Sequence, residues 1–210
     1  MRKPQSLANY ISWSEPREQE FDLATIESSP NVIFLADADL RLTYCNHAWD
    51  RFALENGGER ATTGHVLGSD LMKIIPAPLR QFYSETFAAC RRRRLACELA
   101  YECSSAGLFR LMHMSILPLR HDNDLALVSR LRAEHEHEPE RQATVVADHH
   151  FSPDGTVTQC SHCRRTQRQQ DGDAWEWVPD FLRLQDWKVV HGLCGACTDY
   201  FYPRHANVGR

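Results

Sequence analysis

Hydrophobic and polar residues alternate in several short stretches of the first 132 positions, which is typical of half-buried strands. The clearest stretch is residues 40–46, where Leu40, Leu42 and Tyr44 are expected to share one face. A β-branched and aromatic run at residues 31–37 precedes it across the short sequence DAD, and together they predict a hairpin. Three further extended stretches are joined by turn-forming residues, namely residues 95–103, 108–120 and 125–131.

Helical patterns lie between the second and the third of these predicted strands. Asn46 is expected to cap a helix that ends at residues 56–57, where Asn-Gly supplies a left-handed residue. A longer helix is predicted from Pro78 to the four arginines at 91–94, whose charges complement the helix dipole. Five strands with helices inserted after the second predict an α+β domain, in which a five-stranded antiparallel sheet carries helices on one face.

The composition is that of an ordinary soluble globular protein. The chain has 210 residues, of which 42% are hydrophobic and 25% are charged, and this length allows one or two domains. No apolar run approaches the ~20 residues that a membrane-spanning helix needs, and the N-terminus lacks the apolar core of a secretory signal. We therefore expect a cytoplasmic protein, whose thiols stay reduced and available to a metal.

The net charge of −4 is concentrated in one segment, since residues 134–150 carry five acidic side chains and one arginine. We interpret this segment as a solvated linker. Its histidines are candidate metal ligands, although we expect them to be exposed linker side chains: His135, His137, His149 and His150. The chain is therefore divided into an N-terminal arm at 1–20, an α+β domain at 21–132, an acidic histidine-rich linker at 133–150 and a C-terminal module at 151–210.

Two Cys-x2-Cys motifs lie in the C-terminal module, and thirty residues separate them. Such a knuckle turns tightly enough for both thiolates to reach one ion, and two knuckles complete a tetrahedron with Zn–S distances of about 2.3 Å. The spacing therefore predicts a structural Zn²⁺ site with the ligands Cys160, Cys163, Cys194 and Cys197. The ion would stabilise a module that is small for an independent hydrophobic core.

Other interpretations of the cysteines compete with zinc. A thioredoxin-like centre needs only one such motif, disulfides need an oxidising compartment, and four thiolates also bind iron. His162 or His191 could each replace one sulfur ligand. The remaining cysteines are expected to be small buried or half-buried residues, namely Cys45, Cys90, Cys97 and Cys103.

The first domain resembles the PAS sensory domain over residues 21–132. The resemblance rests on SSPNVIFLADADLRLTYCNHAW, on VLGSDL and on the final three strands with LPLR, and it is to PAS domains whose first helix reads Asn-x-Ala-Trp followed by Asn-Gly. It implies sensing or protein association, with an optional cofactor. The side chains expected to line or fill the space between sheet and helices are Phe34, Tyr44, Trp49, Phe52, Phe82, Phe87, Tyr101 and Met112.

The C-terminal module resembles a small cysteine module that follows PAS, GAF or receiver domains in some bacterial signalling proteins. The resemblance lies in DGTVTQCSHCRRTQ, in WEWVPDFL and in VVHGLCGACTDYFYP, which includes the His-Gly pair before the second knuckle. Many relatives have proline after the first cysteine of that knuckle, where this chain has Gly195. We therefore expect a looser turn there, with no ligand lost.

The cofactors of known PAS domains require residues that can be sought in this chain. The Asn-Cys-Arg-Phe-Leu-Gln string of flavin-photoadduct domains does not occur, and the predicted central helix has no histidine. His47, His65 and His113 are the candidate haem ligands elsewhere, and His113 lies between two methionines on a predicted strand. A satisfied or surface histidine is the expected interpretation, because haem also needs a shaped apolar pocket.

The sequence contains no phosphate-binding loop and no nucleophile elbow, and a four-thiolate ion has no open position for water. We therefore expect a non-catalytic signalling protein that acts on an unidentified partner protein and forms a homodimer through residues 21–26. One alternative is a haem- or iron-containing redox sensor. Another is a nucleic-acid-binding regulator that uses Arg164, Arg165 and Arg168. Residues 151–210 contain seven acidic and seven basic side chains, which disfavours phosphate binding.

Overall fold

Six antiparallel strands form the larger sheet of the computed structural model, which describes residues 12–14, 23–119, 123–183 and 187–203. The strand order across this sheet is β1-β4-β5-β6-β2-β3. In chain order the strands are β1 (Ser12–Ser14), β2 (Val32–Ala36), β3 (Leu42–Cys45), β4 (Ala96–Glu102), β5 (Leu108–Pro118) and β6 (Leu125–Glu136). The helices inserted between β3 and β4 give the α+β arrangement that the sequence predicts.

The prediction of five strands was wrong by one. Strand β1 comes from the N-terminal arm and pairs antiparallel with residues 96–98 of β4, with Trp13 opposite Cys97. A strand of only three residues, two of them serine, has no readable alternation, and its position depends on the free edge that β4 offers. The guanidinium of Arg93 lies 5.0 Å from the Trp13 ring centroid and holds this edge strand against the last turn of a helix.

A β-bulge in the hairpin of β2 and β3 changes which face of the sheet the side chains of β3 point to. Leu42 pairs with Ala36 and Tyr44 pairs with Leu35, so Thr43 has no partner on the opposite strand. The simple alternation that groups Tyr44 with Leu42 therefore fails at Thr43. Leu42 faces the main core, whereas Tyr44 packs on the opposite face of the sheet, beside Ile33. Tyr44 does not line the space between sheet and helices.

The helices cover mainly one face of the large sheet. They are α1 (Leu23–Ser28), α2 (His47–Glu55), α3 (Thr63–Val66), α4 (Leu71–Ile74) and α5 (Arg80–Arg93), with short 3₁₀ turns at Glu59–Ala61 and Ala77–Leu79. Helices α3 to α5 contribute Val66, Leu71 and Phe87 to the main core, and Trp49 of α2 packs against it. Helix α1 is the exception, because its Ile26 is buried with Ile33 on the other face.

Asn46 caps α2 as predicted and is completely buried. Its side-chain oxygen accepts hydrogen bonds from the backbone N–H groups of Trp49 and Ile33, at 3.2 and 3.0 Å. Its amide donates to the carbonyls of Ile26 and Asn31, at 3.0 and 2.9 Å. All its polar atoms are therefore satisfied, and one residue joins α1, the first strand of the hairpin and α2.

A second sheet of four strands, in the order β10-β7-β8-β9, forms the C-terminal module. Its strands are β7 (Val157–Cys160), β8 (Thr166–Arg168), β9 (Asp171–Glu176) and β10 (Val189–Gly192), and its helices are α6 (Asp180–Arg183) and α7 (Gly195–Phe201). Strand β10 runs parallel to β7, whereas the other pairs are antiparallel. A small core of Val157, Val178 and Phe181 lies beneath this sheet.

Strand β6 continues to Glu136, into the segment predicted as a linker, and the boundary near residue 132 stays a prediction. The histidines of this segment are not uniformly exposed as expected, because His150 is completely buried. The reason is a 3₁₀ turn at Asp148–His150 that directs this ring against Phe181 of α6. Among the described residues, no helix combines the length and apolar character that crossing a membrane requires.

Candidate metal centre

The parallel pairing of β7 and β10 brings the two cysteine knuckles together. Gly192 lies opposite Cys160, so each strand enters its knuckle at the same end of the sheet. The backbone N–H and the hydroxyl of Ser161 both donate to the Gly192 carbonyl, at 2.9 and 3.1 Å. A Cβ on Gly192 would lie 3.3 Å from side-chain atoms of Thr158 and Trp175, which explains the glycine immediately before this knuckle.

The four predicted ligands converge in the structure. Their sulfur atoms lie within 4.8 Å of one another, and each cysteine is at most 5% exposed. The Sγ atoms of Cys163 and Cys194 are 3.7 Å apart. A tetrahedron with Zn–S bonds of about 2.3 Å has an edge of about 3.8 Å, whereas a disulfide bond is about 2.05 Å. The four sulfurs are therefore not joined by disulfide bonds, and their separation could accommodate a metal ion.

The four thiols differ in acidity because they hydrogen-bond to one another. Bonds with Cys163 and Cys194 lower the pKa of Cys160. The contact with Cys160 raises the pKa of Cys163 and of Cys197 above the ordinary cysteine range. For Cys194 the contact with Cys160 raises the pKa, but those with Cys163 and Cys197 outweigh it and bring it to about 7. Since a metal binds thiolates, its binding must displace protons from Cys163 and Cys197.

His162 lies between the cysteines of the first knuckle and contacts one ligand from outside. Its Nε2 accepts a hydrogen bond from the backbone N–H of Glu102 at 3.0 Å, so in the neutral ring Nδ1 carries the proton. Nδ1 lies 3.4 Å from Sγ of Cys197 and donates to that sulfur. Burial lowers the pKa of His162, which favours the neutral ring. His191, the other histidine considered as a ligand, is exposed on β10.

Another cluster of potential ligands consists of His149, His150 and Glu176. The Nε2 atoms of the two histidines lie 3.0 and 2.8 Å from the same carboxylate oxygen. Nδ1 of His150 accepts the backbone N–H of Ala147 at 3.1 Å, so Nε2 carries the proton that Glu176 accepts. A metal at this Nε2 would require a fully deprotonated imidazole. The hydrogen bonds therefore favour a structural brace over a second metal site.

Helix α7 carries aromatic side chains from the cysteine module into the core of the first domain. Tyr200 and Phe201 are 7% and 4% exposed and belong to the same core cluster as Phe82. The Phe201 and Phe82 rings meet edge to face, with centroids 5.0 Å apart. Cys197 lies on the same helix, about one turn before these aromatics. One short helix thus connects a predicted metal ligand to the core of the other domain.

The packing of α7 against the first domain was not predicted from the sequence, although the sequence after the last cysteine contains an indication of it. The three consecutive aromatics of YFYP follow the last cysteine closely, and a module of this size has little interior in which to bury them. Tyr202, the last of the three, donates from its hydroxyl to the Pro78 carbonyl at 2.8 Å and accepts from the Phe82 N–H at 3.3 Å. It therefore fastens α7 to the start of α5.

The cysteine module also completes the edge of β4. Strand β1 covers only residues 96–98 of that edge. Beyond it, the Ala100 carbonyl accepts the Tyr200 hydroxyl at 2.6 Å, and the Glu102 N–H donates to His162. Two backbone groups of β4 that an unpaired edge would expose are thus hydrogen-bonded by side chains of the cysteine module.

Arg141 forms a second connection between the domains. Its guanidinium donates to Oε1 of Glu102 at 2.7 Å and to the Cys163 carbonyl at 2.5 Å. It also lies 4.0 Å from the ring centroid of Trp177. The Arg141 and Glu102 side chains are only 11% and 12% exposed, so this ion pair is shielded from solvent. The residue belongs to the segment predicted as a solvated linker, and it is instead held between both domains.

The side chains predicted to line a PAS pocket occupy several places. Most lie in the core between sheet and helices or pack against it, namely Phe34, Trp49, Phe82, Phe87 and Tyr101. Met112 is buried on β5 opposite Tyr101 of β4. Phe52 lines a cleft between the two domains. Tyr44 packs on the opposite face of the sheet.

The candidate haem ligands do not converge on this core. His47 and His65 are exposed, and His65 bonds to the Thr62 hydroxyl at 3.0 Å. Nε2 of His113 lies 3.3 Å from a carboxylate oxygen of Glu98, a neighbour on the next strand. Within the described residues, the main core cluster contains no histidine. The geometry gives no support to haem ligation by these three residues.

No protein-family model matches the chain, and no curated protein sequence matches it. Solved structures similar to part of the chain include two PAS domains. That of an HTR-like protein from Haloarcula marismortui is 19% identical, with a TM-score of 0.36, over 52% of this chain and 92% of that chain. That of BvgS from Bordetella pertussis is 18% identical, with a TM-score of 0.42, over 52% and 82%.

A third similar structure is the VqmA–ligand–DNA complex of Vibrio cholera. It is 11% identical, with a TM-score of 0.40, over 52% of this chain and 49% of that chain. In that structure VqmA is in complex with a ligand and with DNA.

Proposed function

We propose that this chain is a non-catalytic signal-transduction protein, in which a PAS-type sensor domain and a zinc-binding cysteine module act together on a partner protein. The observation that carries the proposal is the position of α7. This helix holds Cys197 among the four sulfurs and Tyr200 and Phe201 in the core of the first domain. A structural change at the cysteines would therefore alter the packing of this core, and a change in the core would alter the positions of the cysteines.

The proposed role of the metal is structural. The four sulfur ligands fill a tetrahedral Zn²⁺ shell and leave no position for a substrate or a water. His162 supports this role, because its N–H neutralises part of the charge on the Cys197 sulfur while its other nitrogen binds β4. When bound, the ion would fix the relative positions of both knuckles and therefore the start of α7.

Metal content and colour test the proposal directly. Protein purified without added metal should contain one zinc ion per chain and show no visible absorption. Iron at the four thiolates, the main alternative, would give visible charge-transfer bands. If the protein is coloured and contains stoichiometric iron, a redox role is favoured over the structural role of the metal. A protein with neither metal would remove the basis of the proposal.

We also propose a homodimer through the segment that precedes the first strand of the hairpin. Phe21 and Asp22 lie outside the described residues. Within α1, Ile26 is already buried against the chain's own sheet, while Thr25 and Glu27 are exposed on the outer surface of the helix. Sedimentation equilibrium at high micromolar concentration should show a dimer, and a monomer under those conditions would contradict this assembly.

The nucleic-acid alternative receives little support from the arginines of the cysteine module. Arg168 lies 3.7 Å from a carboxylate oxygen of Glu176, and Arg164 lines the cleft between the domains. In the basic run of α5, Arg91 donates to the carbonyls of Asp37 and Ala38, at 2.8 and 3.0 Å. Arg91 and Arg168 are therefore engaged with groups of the chain itself, and Arg164 faces a cleft, so the three guanidinium groups do not form one basic surface.

A further inference from the structure

A cleft of about 430 Å³ lies between the two domains, separate from the core between sheet and helices. The first domain contributes the end of α2, the turn between β4 and β5, and Arg110. The cysteine module contributes Arg164, which follows the first knuckle, and residues around α6 and β10. The apolar part of the wall consists of Phe52, Phe181, Leu182, Trp187 and Val189. This volume is in the range of small-molecule sites, which often lie at domain interfaces.

The two arginines of the cleft differ in whether their charge is already compensated. The Arg110 guanidinium donates to a carboxylate oxygen of Glu134 at 2.5 Å and to the Asn56 side-chain oxygen at 2.8 Å. The Arg164 guanidinium has no hydrogen bond or ion pair with any described residue. Burial raises the pKa of the Cys103 thiol in the same wall, so this neutral group adds no negative charge. Among the described residues, Arg164 therefore gives the cleft an uncompensated positive charge.

The backbone of Arg164 is in a conformation that arginine does not favour. Its φ of 62° lies in the left-handed region, where glycine is accommodated without steric cost. Its backbone N–H closes the knuckle on the Cys160 carbonyl at 3.2 Å. Leu40 and Arg94 have the same left-handed conformation elsewhere in the chain, so this φ does not by itself mark a functional position. It does mean that a glycine at position 164 would be accommodated without steric cost.

We propose that this cleft binds a small organic carboxylate with an apolar or aromatic body and that Arg164 recognises the carboxylate. The planar guanidinium matches a carboxylate in a two-pronged hydrogen bond, and the aromatic and aliphatic wall suits an uncharged body. Within the part of the chain that the structure describes, a single uncompensated guanidinium lines the cleft, and one positive charge suits a monoanion better than a phosphate. The biological meaning rests on the proposed sensor function, because a ligand seated here touches both domains and would report its presence through their docking.

Calorimetric titration of the metal-loaded full chain tests the proposal. The probes are 1-naphthylacetate, its uncharged analogue 1-naphthylacetamide, and inorganic phosphate. We expect naphthylacetate to bind, and the amide to bind at least about tenfold more weakly because it lacks the charge-assisted hydrogen bonds. Absence of naphthylacetate binding to the folded protein would overturn the proposal, and so would binding of phosphate alone.

Arg164→Gly provides the sharpest variant, because glycine suits the local φ. We expect its thermal midpoint to equal or exceed that of the parent chain, while its affinity for naphthylacetate falls by about tenfold or more. Arg165→Ala is the matched control on the neighbouring arginine, which does not line the cleft, and it should bind like the parent. Unchanged affinity in Arg164→Gly would contradict the assignment.

A chain that holds its metal and its fold but binds no carboxylate would refute only the proposed binding of a carboxylate in the cleft. A chain without metal would refute the proposed function instead.

Discussion

The Tyr200 hydroxyl donates a 2.6 Å hydrogen bond to the carbonyl of Ala100, a residue one hundred positions earlier in the chain. The donor follows the last predicted metal ligand by three residues, and the acceptor lies on the part of β4 that β1 leaves uncovered. The bond is buried, and the Tyr200 ring also stacks on His162 with centroids 5.6 Å apart. It therefore connects the four-cysteine cluster to the sheet of the first domain.

Replacing Tyr200 by phenylalanine should destabilise the chain without affecting metal content. The Ala100 carbonyl would lose its partner in a buried setting, and we expect a loss of about 1–2 kcal/mol in the free energy of unfolding. Urea denaturation of the metal-loaded protein measures this. Tyr44→Phe is the matched control, because the Tyr44 hydroxyl bonds to Glu27 in an exposed setting and its loss should cost under about 0.5 kcal/mol. Equal effects of the two substitutions would contradict the buried docking.

Arg141→Ala should be among the more damaging substitutions outside the core. It would leave the Glu102 carboxylate buried without its cation, for which we expect a destabilisation of about 3 kcal/mol. Arg141→Lys should recover only part of this, because lysine lacks the planar fork that bonds two acceptors while it stacks on Trp177.

Arg183→Ala is the control for Arg141. Its ion pair with Asp180 has side-chain exposures of 59% and 44%, so its removal should cost under about 0.5 kcal/mol. Thermal or urea unfolding of the three variants provides the comparison. A loss at Arg141 as small as that at Arg183 would show that residues 133–150 act as a free linker after all.

Two glycines beside the second knuckle should respond to alanine in opposite ways. Gly195 is the first residue of α7, and a Cβ there meets nothing within 4 Å. Gly195→Ala should therefore stabilise the chain by about 0.5–1 kcal/mol through reduced freedom of the unfolded state. Gly192→Ala should destabilise it, because the Cβ would lie 3.3 Å from Thr158 and Trp175. Differential scanning calorimetry gives both signs, and a stabilised Gly192→Ala would contradict the close packing of β10.

Metal binding should release protons and become weaker at lower pH. In the metal-free cluster, hydrogen bonds with Cys160 raise the pKa of Cys163 and Cys197, so both are protonated near pH 8, while Cys160 is lowered and Cys194 has a pKa of about 7. Four thiolates are needed around the ion, so the protons on Cys163 and Cys197 should be released when zinc binds. Titration calorimetry in buffers of different ionisation enthalpy counts them. Release of none would show that the cysteines do not all bind.

The convergence of the four cysteines could be predicted from the sequence, because its signals are local. The spacing within each knuckle limits how far two sulfurs can separate. The helix cap at Asn46 was predictable for a similar reason, because its hydrogen bond to the Trp49 N–H involves a residue only three positions away. The bulge at Thr43 could not be predicted, since one unpaired residue leaves the composition of the strand unchanged while it reverses Tyr44. The contacts of Tyr200 and Arg141 were also missed, because they depend on partners far away in the chain.

Hydrogen–deuterium exchange of Cys197→Ser, compared with Cys103→Ser as a cysteine outside the metal centre, shows whether the two domains form one unit. We expect loss of the ligand to accelerate exchange in the cysteine module and also in β4 and the start of α5, where Tyr200 and Tyr202 bond. Cys103→Ser should leave these segments protected. If Cys197→Ser loosens residues 157–202 while β4 and α5 keep the protection of the parent chain, the four-cysteine cluster and the core of the first domain are not coupled.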